Sequence, residues 1–259
     1  MGQELAVFLK KLSVDSIGQA QDCTSDDAIL ANALSIGSAP WSTFRYGPAP
    51  DGAYVPIHPS IALRDGNFSR NGLEIMTGHN SFESPFFTPP FVRSDKDLAG
   101  FLSGLFPDAR ESDIGNILQL YPKPGINRTI DLLSDVAFAC NNHYITKAFR
   151  GRTYNFKFLV PPSVHGSELA YIYYNGPDAV PGGIYVGDRG PVLVDAAVVM
   201  QRYVVNFVRG GDPNGPRGPP FPRADEGGTM LAVGAEGVQV APDDTNNPRC
   251  EWFQGMPYG

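Results

Sequence analysis

Residues 153–169 read TYNFKFLVPPSVHGSEL. Tyr154, Phe156 and Phe158 alternate with Asn155 and Lys157, the period-two pattern of a strand with one apolar face. Two prolines close the strand, and His165 stands in the turn beyond them. An imidazole at the end of a strand is well placed to move protons. Whose proton it would take depends on the rest of the chain.

A second short strand ending at Gly78 is predicted within GLEIMTGHN, residues 72–80, with Leu73, Ile75 and Met76 buried and a polar loop holding Asn80, Ser81 and Glu83 after it. Between the two strands, from Ser94 to Gly151, the pattern is helical, with caps at SDKD and ESD. Its longest segment carries one apolar stripe of Leu133, Val136, Ala137, Cys140, Tyr144 and Ala148. A further amphipathic helix is expected over about residues 191–208, ending at Gly210-Gly211, followed by a GDPNG turn. GTMLAVG and GVQVAP read as a closing hairpin.

Upstream, residues 4–20 and 26–37 have helical spacing. GPAPDGAYVP leads to a brief strand at Tyr54 and Val55, and IALRDG to a short helix. Strands separated by helices, each ending in a loop with a titratable residue, point to an α/β sheet with its chemistry at the carboxyl edge. Glu83 and His165 occupy those places. A carboxylate bonded to one imidazole nitrogen fixes the tautomer and frees the other nitrogen to act as a general base.

Composition excludes several other classes. The 259 residues carry a net charge of −7 spread along the chain. No basic cluster grips phosphates, so nucleic acid is not an expected partner. No apolar run reaches the roughly 18–20 residues of a transmembrane segment, and MGQELAVFLKKL shows neither a signal peptide nor a myristoylation signal. Cys23, Cys140 and Cys250 do not make a zinc pattern but leave room for one disulfide and one spare thiol. Asn67-Phe-Ser69 and Asn127-Arg-Thr129 are N-glycosylation sequons.

Several stretches in order resemble the type-B carboxylesterase and lipase family of α/β-hydrolases, which includes the cholinesterases and fungal lipases. GHNSFESPFF is similar to the segment around the family's triad acid, and VHGSELAYIYY to its histidine motif with an aromatic-rich strand after it. FRYGPAPDGAYVP, SDVAFACNNHY, FVRGGDPNG and NPRCEWFQ match in turn. The resemblance implies Glu83 as the acid, His165 as the base, a Cys140–Cys250 disulfide, a small-molecule carboxylic ester as substrate, neither metal nor cofactor, and an extracellular location.

The likeness covers only the C-terminal half of such proteins. The nucleophile elbow G-x-S-x-G precedes acid and histidine in the family's chain order, and none occurs in the 259 residues. Ser35, Ser38 and Ser103 lack its glycine offsets. The expectation is therefore a single partial domain over residues 1–259, comprising an incomplete central sheet, flanking helices and a C-terminal hairpin. It would supply Glu and His without serine or oxyanion hole, be inactive alone, and associate through an exposed sheet edge. A non-catalytic binding module of the same fold and a truncated gene product are the alternatives.

Overall fold

The computed structural model describes residues 50–176, 192–216, 218–224 and 228–256, all within one compact unit, Pro50–Gly259. The helices expected over residues 4–20 and 26–37, together with Cys23, Ser35 and Ser38, lie outside the described residues.

Four strands form one mixed sheet in the order β1 (Ile75–Asn80), β2 (Thr153–Phe158), β3 (Thr229–Gly234) and β4 (Gly237–Pro242). β1 to β3 run parallel, Gly78 beside Phe156 and Phe156 beside Leu231, while β4 returns antiparallel to β3. Two residues, Ala235 and Glu236, separate the paired glycines Gly234 and Gly237, so the closing hairpin is as tight as the sequence suggests.

The alternation in β2 sorts the two faces. Tyr154 and Phe158 are buried against Ala197, Met200 and Tyr203 of helix α7 (Val194–Gly210). On the opposite face the Asn155 amide donates to Thr146 Oγ1 at 2.7 Å, a residue of helix α5 (Cys140–Ala148). The connection from β1 to β2 thus runs over one face and that from β2 to β3 over the other, each long enough for the crossover that parallel strands need.

Helix α1 (Pro59–Asp65) precedes β1. The helices α2 (Asp95–Leu105), α3 (Glu111–Leu120) and α4 (Ile126–Ser134) join α8 (Pro248–Gln254) around a second core of Leu98, Leu102, Ile117, Leu132 and Phe253. α2 begins with a complete capping box, Ser94 and Asp97. A disulfide between Cys140 and Cys250, 110 residues apart with Cα atoms 5.0 Å apart, ties α8 to α5.

Four local expectations need correction. Tyr54 and Val55 form no strand, because the Asp51 carboxylate accepts from the backbone N–H groups of Ala53 and Val55 and closes a loop there. AYIYY is not a strand: Gly166 turns the chain at φ 81°, and Leu169–Ile172 form a helical turn, α6, that sets Tyr171 against Phe158 at 4.8 Å. Leu73 is 51% exposed because it precedes β1. Ala137 faces solvent because residues Asp135–Ala139 form a π-turn between α4 and α5. A π-turn rotates the helix face relative to an ideal 3.6-residue stripe.

Candidate active site

Both candidate residues sit just beyond the carboxyl ends of adjacent parallel strands, where α/β sheets place ligands. The two loops are zipped together. Ser81 N–H donates to Phe158 O and Phe82 N–H to Ser163 O, each at 3.0 Å, and Phe82 bridges Val164 in parallel. Ser163 holds the junction from a left-handed backbone conformation, φ 53°. Its hydroxyl accepts from Ser81 Oγ at 2.9 Å and donates to Phe158 O at 2.5 Å.

This zipper brings Glu83 Oε2 within 2.7 Å of His165 Nδ1. The Glu83 side chain is 5% exposed and that of His165 is 37% exposed. A carboxylate can only accept, so the imidazole proton lies on Nδ1 and the neutral ring keeps its lone pair on Nε2. The hydrogen bond to Glu83 raises the pKa of His165, against an opposing effect of burial, with the charges of Glu83 and Glu168 adding to the rise. The rings of Phe87 and Phe138 lie 5.2 and 4.6 Å from the imidazole. Phe138 belongs to the π-turn, an irregularity that recurs at functional sites.

The far oxygen of Glu83 accepts from the backbone N–H of Asn80 at 2.5 Å. Ser84 anchors the acid loop from the other side, with its hydroxyl donating to Ile130 O in α4 at 2.6 Å. Ser84 is fully buried, which accounts for a small residue directly after the acid. Asn80, Phe87 and Phe138 fall within the quoted motif stretches and Ser163 just before the histidine motif, but spacing alone does not single them out as site residues.

The other candidates are spread out. His79 is buried on the opposite face, its Nδ1 bonded to Asn142 at 3.1 Å and its Nε2 3.5 Å from Asp244. It lines a cavity of about 450 Å³ with Lys157, Asp244, Arg249, Asp135 and Tyr121, which neither Glu83 nor His165 enters. Among the described residues no three His, Cys, Asp or Glu side chains gather as a metal site. His143 is buried and bonds Glu251 at 2.8 Å. Ser103 is an exposed helical residue whose hydroxyl donates to Ala99 O. Asn67 and Asn127 are both exposed. No helix among the described residues is long and apolar enough to cross a membrane.

No protein-family model matches the chain. It is 31% identical to the carboxylesterase patB of Aspergillus clavatus and 27% identical to that of Penicillium expansum, in each case over 97% of this chain and 45% of the relative. The fold is also similar to part of that of Aspergillus niger EstA, with a TM-score of 0.69 and 17% identity over 81% of this chain and 44% of EstA. The chain thus spans less than half the length of the curated relatives it matches most extensively. With its sheet, its paired strand ends and its sequence all of one kind, the chain belongs to the type-B carboxylesterase/lipase-like family and carries part of an α/β-hydrolase fold.

Proposed function

We propose that this chain supplies the acid and base of a serine carboxylic ester hydrolase, with Glu83 as the orienting acid and His165 as the general base. The 2.7 Å bond between them carries the reading. Glu83 holds the imidazole in the tautomer whose Nε2 can accept a proton, and it stabilises the imidazolium that results. The substrate class is a small carboxylic ester, cleaved through an acyl-enzyme without metal or cofactor. The proton would come from a serine on a G-x-S-x-G segment, which is not among these 259 residues. The residues 1–259 would then form one partial hydrolase domain that does not turn over esters unaided.

The test is hydrolysis of a p-nitrophenyl ester together with fluorophosphonate labelling. The chain would be assayed alone and after co-expression with the N-terminal half of the Aspergillus clavatus relative. Turnover only in the reconstituted pair, abolished by His165→Ala and strongly reduced by Glu83→Gln, is the expected result. Turnover and labelling by the chain alone would overturn it.

The same reading makes the protein secreted and glycosylated at Asn67 and Asn127. A disulfide suits an oxidising compartment, and glycosidase-sensitive mobility of the secreted chain is the corresponding check. Among the described residues β1 is paired on one side only, so self-association through this edge is proposed as well. Light scattering should show dimers that Ile75→Lys disperses.

A further inference from the structure

Asn80 is 3% exposed and closes β1, three residues before the acid. Its side-chain Nδ2 donates to Glu168 Oε2 at 2.5 Å and, more distantly, to Glu83 Oε1 at 3.4 Å. One amide thus serves two carboxylates from two different loops. Glu168 lies on the turn that carries His165, three residues further on, at the residue before helix α6. The amide oxygen, Asn80 Oδ1, is buried with no partner. Turning the amide over would aim that oxygen at two carboxylates, so the observed orientation is enforced. An unsatisfied buried carbonyl destabilises the fold, and such an exception calls for an explanation.

We propose that Asn80 is a positioning residue whose side-chain amide latches the Glu83 loop to the His165 turn through Glu168. The inference rests on the reading of Glu83 and His165 given above. The main-chain N–H of Asn80 fixes one oxygen of Glu83, and the other oxygen meets His165. The amide fixes the histidine turn from beneath. Phe87 and Phe138 pack against the imidazole, and Glu83 and Glu168 are the charged groups acting on it. Aspartate at position 80 could not take this place, because it would set a third carboxylate against the other two.

The full chain can be tested without ester turnover, by nuclear magnetic resonance of labelled protein. Asn80→Leu keeps the main-chain N–H but removes the amide. It is expected to abolish the downfield Nδ1 proton signal of the Glu83–His165 bond and to lower the pH midpoint of His165. Glu168→Gln should move the Asn80 side-chain amide signals, and should lower the His165 midpoint less in the Asn80→Leu background than in wild type, where it removes the latch as well as its own charge. An unchanged downfield signal in a folded Asn80→Leu chain, or additive effects of the two substitutions, would overturn the proposal. If Asn80→Leu does not fold, the single Glu168→Gln variant decides, since an unmoved Asn80 amide signal refutes the latch. The proposed hydrolase fails by a different observation, reconstituted turnover that survives His165→Ala.

Discussion

Glu83 and His165 are 82 residues apart in sequence, yet their side chains meet at 2.7 Å, because two parallel neighbours deliver their following loops to one edge of the sheet. The carboxylate favours the imidazolium and raises the His165 pKa above its ordinary 6.5. Glu83→Gln should therefore lower the midpoint seen by nuclear magnetic resonance. A group whose pKa is raised on folding stabilises the protein most fully below its unfolded value, and the effect is lost as pH rises through the folded value. The wild-type chain should accordingly lose part of its stability advantage over Glu83→Gln as pH is raised from about 6 upward through that value. Paired denaturant melts across this range measure it, and a pH-independent difference would contradict it.

The disulfide closes a loop spanning 110 residues between two fully buried cysteines. Cross-links of this kind restrict the unfolded chain, with typical contributions of about 2–4 kcal/mol. Cys250→Ser, or reduction, should lower stability by about that amount and release α8 from α5 first. Hydrogen exchange would show the loss of protection beginning at Pro248–Gln254 rather than in β2.

Much of the sheet was legible because its alternation is unambiguous. Tyr154, Asn155 and Phe158 took the faces that their chemistry demands, and the tight hairpin followed from two short apolar runs around Ala235 and Glu236. The failures share a physical cause, which is that local groups competed with the periodic pattern. Asp51 captured the backbone donors of Ala53 and Val55, Gly166 turned a β-prone aromatic run into a helical one, and the π-turn moved Ala137 out of its stripe. At the site, Glu83 and His165 were readable as titratable residues at strand ends. Asn80 and Ser163 were not, since their roles depend on partners about 80 residues away.

Gly78 offers a test of the packing over β1. It pairs with Phe156, and a Cβ at this position would collide with the Phe156 ring. The aromatic ring therefore lies across the edge strand over a glycine. Gly78→Ala should force the ring from its rotamer and cost about 1–3 kcal/mol. The companion variant Phe156→Leu should recover part of that loss. A denaturant melt in which the two substitutions simply add would show that the collision is relieved elsewhere.

The trio of Tyr121, Asp135 and Arg249 holds the π-turn to α8. Asp135 Oδ2 accepts from Tyr121 Oη at 2.8 Å and from Arg249 Nε at 2.7 Å. Burial, reinforced by Asp135, raises the Tyr121 pKa far above its usual value, so its phenol should stay protonated in the folded chain above the usual tyrosine range, and Tyr121→Phe should leave the phenolate absorbance of the folded chain unchanged. Arg249→Met removes the cation, whose guanidinium carbon lies 5.3 Å from the centre of the Tyr121 ring, while keeping an apolar stem. It leaves Asp135, whose side chain is 15% exposed, with a phenol as its remaining partner of the trio. A loss of about 1–3 kcal/mol follows from an incompletely paired, partly buried carboxylate. Because Phe138 rides on the same π-turn and packs on the imidazole, the His165 proton signals should shift in this variant even though Arg249 does not touch the site. Unmoved His165 signals alongside the stability loss would show that the π-turn positions Phe138 independently of its anchor to α8.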